Sequence, residues 1–236
     1  MKIGTNLDKY HSFINCQFGD PQARHLLGRT KPRPSVTISR QSGAGAMAIA
    51  EELATFLQAH TPAPSHWMVF DKNLADKVLE EHQLPKEIAK FMPEGRISAI
   101  QDAVEELLGL HPSARTLLQL TTETILHLAE IGHVILIGRA GHVITRQMRT
   151  VFHVRLIAPL DQRVANVMAR SQLAEKAALE FIHKADRGRQ HYLKTHFGTD
   201  IDDNLQYDLV INTARIPKNE VVHLLGGAIR HWAATL

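Results

Sequence analysis

At 236 residues, with 44% apolar and 22% charged side chains, the chain is long enough to bury one full core and lies far from disordered or fibrous compositions. A formal net charge of +3, with fifteen histidines in reserve, suits an anionic small ligand and excludes a surface built to coat a nucleic-acid backbone. Apolar runs such as Val134 to Ile137 are too short to cross a bilayer, residues 1–20 hold no secretory core, and the single cysteine, Cys16, cannot close an internal disulfide, so a cytoplasmic protein with no membrane partner is expected.

Residues 1–34 show little periodicity, contain Gly4, Gly19 and Gly28, and end in the K-P-R-P run Lys31 to Pro34, which favours extended backbone. They read as an N-terminal extension ahead of a single domain over 35–236. Ser35 to Arg40 is a short β-branched strand that runs into S-G-A-G at Ser42 to Gly45 and then into a helix over 46–60. After a proline turn at 61–65, Trp67 to Phe70 reads as a second strand ending at Asp71, followed by helices over 72–82 and, past Pro85, to Phe91. Residues 97–110 and 113–131 are also helical; in the second of these Leu117, Leu118, Ile125, Leu128 and Ala129 share one face and Gly132 closes the helix. His133 to Gly138 and Val151 to Ile157 are nearly continuous apolar strands, the pattern of a parallel sheet covered on both faces. Helices over 160–170 and 173–197, a fifth strand at Tyr207 to Ile211 and a terminal helix with Pro217 in its first turn complete the chain. Strands alternating with helices predict an α/β fold, a three-layer doubly wound parallel five-stranded sheet whose ligands sit in loops at the carboxyl ends of the strands.

Those loops hold the candidate site residues. A glycine turn between a strand and a helix lets backbone N–H groups converge on an anion, and Ser39 to Ala48 has that context. Within it Arg40, Ser42, Gly43, Ala44, Gly45 and Ala46 form the candidate phosphate loop; a tight turn that needs small residues for packing is the other reading. Measured against G-x-x-x-x-G-K-[ST], Arg40 takes the first glycine position and Ala46 the lysine, while Met47 and Ala48 fill the hydroxyl region. Arg139, after the third strand, can grip a monophosphate in bidentate fashion or pair with a surface carboxylate. Arg163 and Arg170 lie on the helix after the fourth strand, and 183–196 carries Lys184, Arg187, Arg189, His191 and Lys194. Lys184, Arg187, His191 and Lys194 fall on one helical face, which is either a lid or a solvated surface. Interleaved aromatics are missing there, which argues against a nucleic-acid partner. Asp71 either contacts a substrate or caps the helix after it, and Asn212 and Thr213 end the fifth strand at a ligand edge or a turn. The histidines are scattered without an H-x-x-x-H pair, so no metal site is expected from them.

The stretch V-T-I-S-R-Q-S-G-A-G-A-M-A-I-A (Val36 to Ala50) resembles the opening motif of the cytidylate-kinase-like family. The likeness continues through F-D-K-N-L (Phe70 to Leu74), V-I-L-I-G-R-A-G (Val134 to Gly141), A-P-L-D-Q-R-V (Ala158 to Val164), F-G-T-D (Phe197 to Asp200) and Y-D-L-V-I-N-T (Tyr207 to Thr213). It implies a P-loop nucleoside-monophosphate-kinase fold with a helical lid at about 171–200, using ATP and Mg²⁺ to phosphorylate a small-molecule nucleotide such as CMP or dCMP. Arg187 and Arg189 would act as internal arginine fingers with Arg163 as a further catalytic cation, and Arg139 with Asp71 would bind the monophosphate. The family's loop lysine or arginine and its Mg²⁺-holding hydroxyl are replaced here by Ala46, Met47 and Ala48, a degenerate Walker A loop. Two functions follow: a nucleotide kinase in which Arg40 stands in for the loop cation, or a nucleotide-binding sensor or interaction protein that kept the fold. A homo-oligomer is compatible with either.

Overall fold

The computed structural model describes residues 33–60, 66–71 and 114–236. The predicted helices between residues 72 and 110, the turn at 61–65 and nearly all of the N-terminal extension lie outside the described residues.

The described strands are β1 (Ser35–Arg40), β2 (Met68–Phe70), β3 (Val134–Ile137), β4 (Val151–Ile157) and β5 (Leu209–Asn212). They pair in parallel in the order β2-β3-β1-β4-β5. The described helices are α1 (Ala46–His60), α2 (Ala114–Ile131), the short α3 (Gly141–Ile144), α4 (Leu160–Ser171), α5 (Glu175–Phe197) and α6 (Lys218–Ala233). This is the doubly wound α/β sheet that the alternating pattern predicts, with every carboxyl strand end on one edge.

Alternation along β1 explains the layers. Val36 and Ile38 point to one face and join Ile135, Ile137, Val154 and Leu156 against α1 and α6, through Ile49, Leu53, Leu57, Leu225 and Ile229. The opposite face packs Val134, Leu136 and Phe70 against Ile125, Leu128 and Ala129 of α2. Ser35, Thr37 and Ser39 also lie on that second face, where the register sets them beside Val151, His153 and Arg155 of β4. A buried strand with three polar residues on one face needs internal partners for each. The Ser35 hydroxyl donates to the Ala129 carbonyl at 3.0 Å, and Thr37 meets His153 Nδ1 at 2.8 Å.

Several boundaries depart from the sequence reading: the fifth strand, read over Tyr207 to Ile211, spans Leu209–Asn212, and the helix read from 173 begins at Glu175. Pro217 occupies the N-cap of α6 with extended backbone, so the helix begins one residue later, at Lys218. α3 has no counterpart among the predicted elements, because four residues are too few to show helical periodicity. Gly132 ends α2 as expected, with φ of +80° and its N–H on the Leu128 carbonyl at 3.3 Å.

α4 and α5 stand apart from the main core. They meet each other through Val164, Val167, Ala178 and Ile182, and α5 touches the body through Leu193 against Ala140 and Ile201. Local stability follows buried apolar contact, so among the described residues α1 and α6 belong to the firmest part and α5 to a more loosely attached one. Leu53 is fully buried in the main cluster. Leu53→Ala is expected to cost about 2–5 kcal/mol, read as a lower midpoint in denaturant unfolding; an unchanged midpoint would place Leu53 outside the cooperative core.

Candidate active site

β1 delivers Arg40 to the carboxyl edge of the sheet, and the chain turns through residues 41–45 before α1 begins. Gly43 and Gly45 hold φ of +84° and +81°, a region where a side chain is costly. Gly43 has a second reason to be glycine: a Cβ there would lie 2.5 Å from the Arg163 carbonyl oxygen. The turn is pinned from several sides. Gln41 N–H donates to the Leu156 carbonyl at 3.0 Å, Asn166 Nδ2 donates to the Gly43 carbonyl at 2.8 Å, and the Thr213 hydroxyl donates to the Ala44 carbonyl at 3.1 Å. Thr213 therefore ties the end of β5 to the glycine turn.

The end of β3 forms the second wall. Gly138, Arg139 and Ala140 adopt φ of 82°, 51° and 56°, three successive left-handed residues. For a side chain with a Cβ this costs on the order of 1–2 kcal/mol per residue, and such strain gathers at functional sites. Here α3 holds it in place, with Gly141 N–H on the Gly138 carbonyl and Val143 N–H on the Ala140 carbonyl, both at 2.9 Å. A Cβ on Gly138 would overlap the Arg40 guanidinium. The first glycine of G-R-A-G thus lets Arg40 lie across the strand end, and the strained turn carries Arg139 in beside it.

α5 supplies the third wall. Arg40, Arg139, Lys184 and Arg189, with Ser39 and His142, line a cleft of about 540 Å³ in which none of the described lining residues is Asp or Glu. Burial, followed by repulsion from Arg189 and Arg139, lowers the Arg40 pKa to about 10, against an opposing pull from Asp71 and Asp186. A cleft that gathers this much like charge favours an anion.

Below the turn a second cluster forms around Asp186. One carboxylate oxygen accepts from Ser42 N–H at 2.9 Å and from Arg189; the other accepts from Arg163 Nη1 at 2.6 Å. Arg189 also donates to the Ser42 hydroxyl. Burial alone would raise the Asp186 carboxyl, but the Ser42 amide and the two guanidiniums outweigh it and hold it below its ordinary range. Arg163 is therefore a brace between α4, the turn and α5.

Arg40, Ser42, Arg139, Arg163 and Arg189 come together as one neighbourhood. Arg187 does not reach it: its Nε donates to the His183 carbonyl at 3.2 Å and it lines a separate concavity of about 500 Å³ with His191 and Lys194. Lys184, placed with those residues by the sequence pattern, lies on the cleft side instead. Asp71 stands at the end of β2 and lines a neighbouring cavity of about 670 Å³ beside α1. Ala46, Met47 and Ala48 bring neither a cation nor a hydroxyl to the start of α1. Among the described residues no group of three His, Cys, Asp or Glu could hold a metal ion, and no helix is long and apolar enough to cross a membrane.

The sequence reading missed the network beneath the cleft. Arg155, only 3% exposed, donates to the Ser39 hydroxyl oxygen at 3.0 Å and pairs with Asp202. The Tyr207 hydroxyl donates to the Ile201 carbonyl at 2.8 Å and lies 3.2 Å from His142 Nε2. The V-T-I-S alternation was the available signal, since it predicts a polar face inside a buried sheet.

A parallel sheet with a glycine turn and an arginine-lined cleft at its carboxyl edge is the kinase-like, nucleotide-binding class of α/β fold. The model of the cytidylate kinase-like family matches residues 35–215, and the chain belongs to that family. A cytidylate kinase from Sulfolobus acidocaldarius is 34% identical over 74 residues, 31% of this chain and 41% of that protein. A uronate isomerase from Corynebacterium glutamicum is 34% identical over 104 residues, 44% of this chain and 20% of that protein. The chain thus spans about a fifth and two fifths of the lengths of these two curated relatives. The crystal structure of an uncharacterized protein from Eubacterium ventriosum superposes with a TM-score of 0.56 at 16% identity, covering 84% of this chain and 99% of that one, a likeness of fold alone.

Buried histidines make the fold acid-sensitive. Burial, then His153 and Arg155, push the His142 pKa down to about 3, and burial with Arg33 pushes His133 down to about 4. An unfolded histidine takes up its proton near pH 6.5, so below that the unfolded chain binds more protons than the folded one and stability falls as pH drops. Each contributes up to about 1.4 kcal/mol per pH unit across that window. Thermal midpoints are expected to fall between about pH 7 and about pH 5, less steeply in His142→Asn; a flat wild-type profile would mean that these rings are already protonated in the fold.

Proposed function

We propose that the cleft binds a nucleoside monophosphate of the CMP or dCMP kind and that the chain transfers a phosphoryl group to it from ATP. The observation that carries this reading is the convergence of Arg40, Arg139, Lys184 and Arg189 on one cleft. Family membership supports the nucleotide class, and the short match to the Sulfolobus cytidylate kinase supports the pyrimidine.

In this reading Arg139 and Arg40 hold the acceptor phosphate. Arg189, on the more loosely attached α5, spreads the negative charge that builds as an acceptor oxygen attacks the γ-phosphorus and ADP leaves. Phosphoryl transfer needs little covalent help from the protein, so positioning and charge neutralisation carry the rate. Asp71, whose charge acts on Arg40, would meet the nucleoside end.

The turn does not fit the usual protein ligand for Mg²⁺. Met47 stands in the hydroxyl position with Ala48 after it, and the Ser42 hydroxyl already accepts from Arg189. No step is therefore assigned to the metal. The same neutral positions favour a second reading, in which the chain binds nucleotide without turnover.

Calorimetric titration with CMP and dCMP, together with an assay of ADP formation, tests both. Arg139→Ala is expected to weaken CMP binding about 10–100-fold, the range of a lost charged hydrogen bond, with the fold intact by circular dichroism. Unchanged affinity would remove Arg139 from the site. CMP binding without ADP formation would select the second reading.

A further inference from the structure

We propose that Asp186 is a built-in anion that fills the phosphate place of the glycine turn, so that a polyphosphate enters only when this carboxylate leaves. The inference rests on the nucleotide-binding reading above and concerns how that same site is regulated.

The contacts of Asp186 are those a phosphate oxygen would seek. Ser42 N–H lies at 2.9 Å from one carboxylate oxygen, Arg163 Nη1 at 2.6 Å from the other, and Arg189 bridges Asp186 and the Ser42 hydroxyl. Backbone amide plus guanidinium is the general recipe for binding a phosphate at such a turn. Because Ala46, Met47 and Ala48 carry no charge, Arg163 and Arg189 are the cations in contact with the turn, and Asp186 engages both. Asp186 also reaches across a long sequence interval: Ser42 is 144 positions away, on a different element. An aspartate that merely served its own helix would have no need of that contact.

The arrangement is also reversible. An aspartate side chain is short, and rotation about χ1 withdraws its carboxylate without unwinding α5. The longer Arg189 can keep its place at Ser42. Withdrawal would leave one amide and two guanidiniums facing the place the carboxylate had filled, with Arg189 shared with the Arg40 and Arg139 cleft. If the withdrawn form makes up about a tenth of the population, affinity for a polyphosphate is lowered about tenfold by this competition alone. A monophosphate held by Arg40 and Arg139 would gain less, because Asp186 does not line that cleft and acts on Arg40 through its charge.

Asp186→Asn keeps the shape and removes the charge. Titrated with inorganic tripolyphosphate and separately with CMP, this variant is expected to bind tripolyphosphate about tenfold more tightly than wild type, with CMP affinity raised by a clearly smaller factor. Equal or weaker tripolyphosphate binding would overturn the inference, weaker binding of both ligands meaning that Asp186 positions the arginines rather than competing with the ligand. If the variant does not fold by circular dichroism, the wild-type chain with ¹⁵N-labelled serine decides. Tripolyphosphate should move the Ser42 amide resonance as it replaces the carboxylate, and an unmoved resonance would overturn the inference. Loss of CMP binding in wild type, with tripolyphosphate binding still gained in Asp186→Asn, would fault the nucleotide reading while leaving Asp186 as the resident anion.

Discussion

Like charges crowd together at the carboxyl edge of the sheet. Burial first, and then repulsion from Arg189 and Arg139, lowers the proton affinity of Arg40, while Asp71 and Asp186 pull the other way. Such a cluster costs free energy in the folded chain unless an anion relieves it. Much of the surrounding structure reads as the means of keeping the cluster assembled. Gly138 clears room for the Arg40 guanidinium, three left-handed residues aim the strand end, and the short α3 bonds that turn in place.

Support from below is equally specific. Arg155 is a buried cation in the middle of a parallel sheet, stabilised by Ser39 and Asp202, with Tyr207 and His142 completing the network. A half-satisfied buried network would be worse than an apolar core, so the set fixes the strand ends beneath the cleft in one arrangement. The site therefore has a rigid floor and a more loosely attached roof, since α5 meets the body through the small cluster at Leu193 and through the Asp186 contacts. That division matches what a ligand must do: enter past α5 and settle against β1 and β3.

The strands were legible because each is a short run rich in apolar or β-branched residues, and local pattern suffices for those. Arg139 was legible for a similar reason, as a cation directly after a strand in a glycine-rich turn. The neighbouring pair Arg187 and Arg189 illustrates a misplacement that helix geometry explains. Residues two apart lie about 200° apart around a helix, so once Arg189 turns toward the cleft Arg187 turns away. Asp186 could not be picked out of its basic run, because its partner Ser42 is 144 positions distant and nothing local marks the contact. The same holds for Tyr207 and Ser39, separated by 168 positions. Charge type can be read locally; which charges meet depends on the crossovers of the sheet.

With neutral Ala46, Met47 and Ala48 in the turn, the proposed phosphate binding falls to arginines on β1, after β3 and on α5. A crystal structure with CMP bound tests that assignment most directly. The account predicts the phosphate oxygens within hydrogen-bonding distance of Arg139 and Arg40, with the nucleoside turned toward Asp71. A phosphate seated elsewhere, with Arg40 and Arg139 still facing an empty cleft, would contradict it.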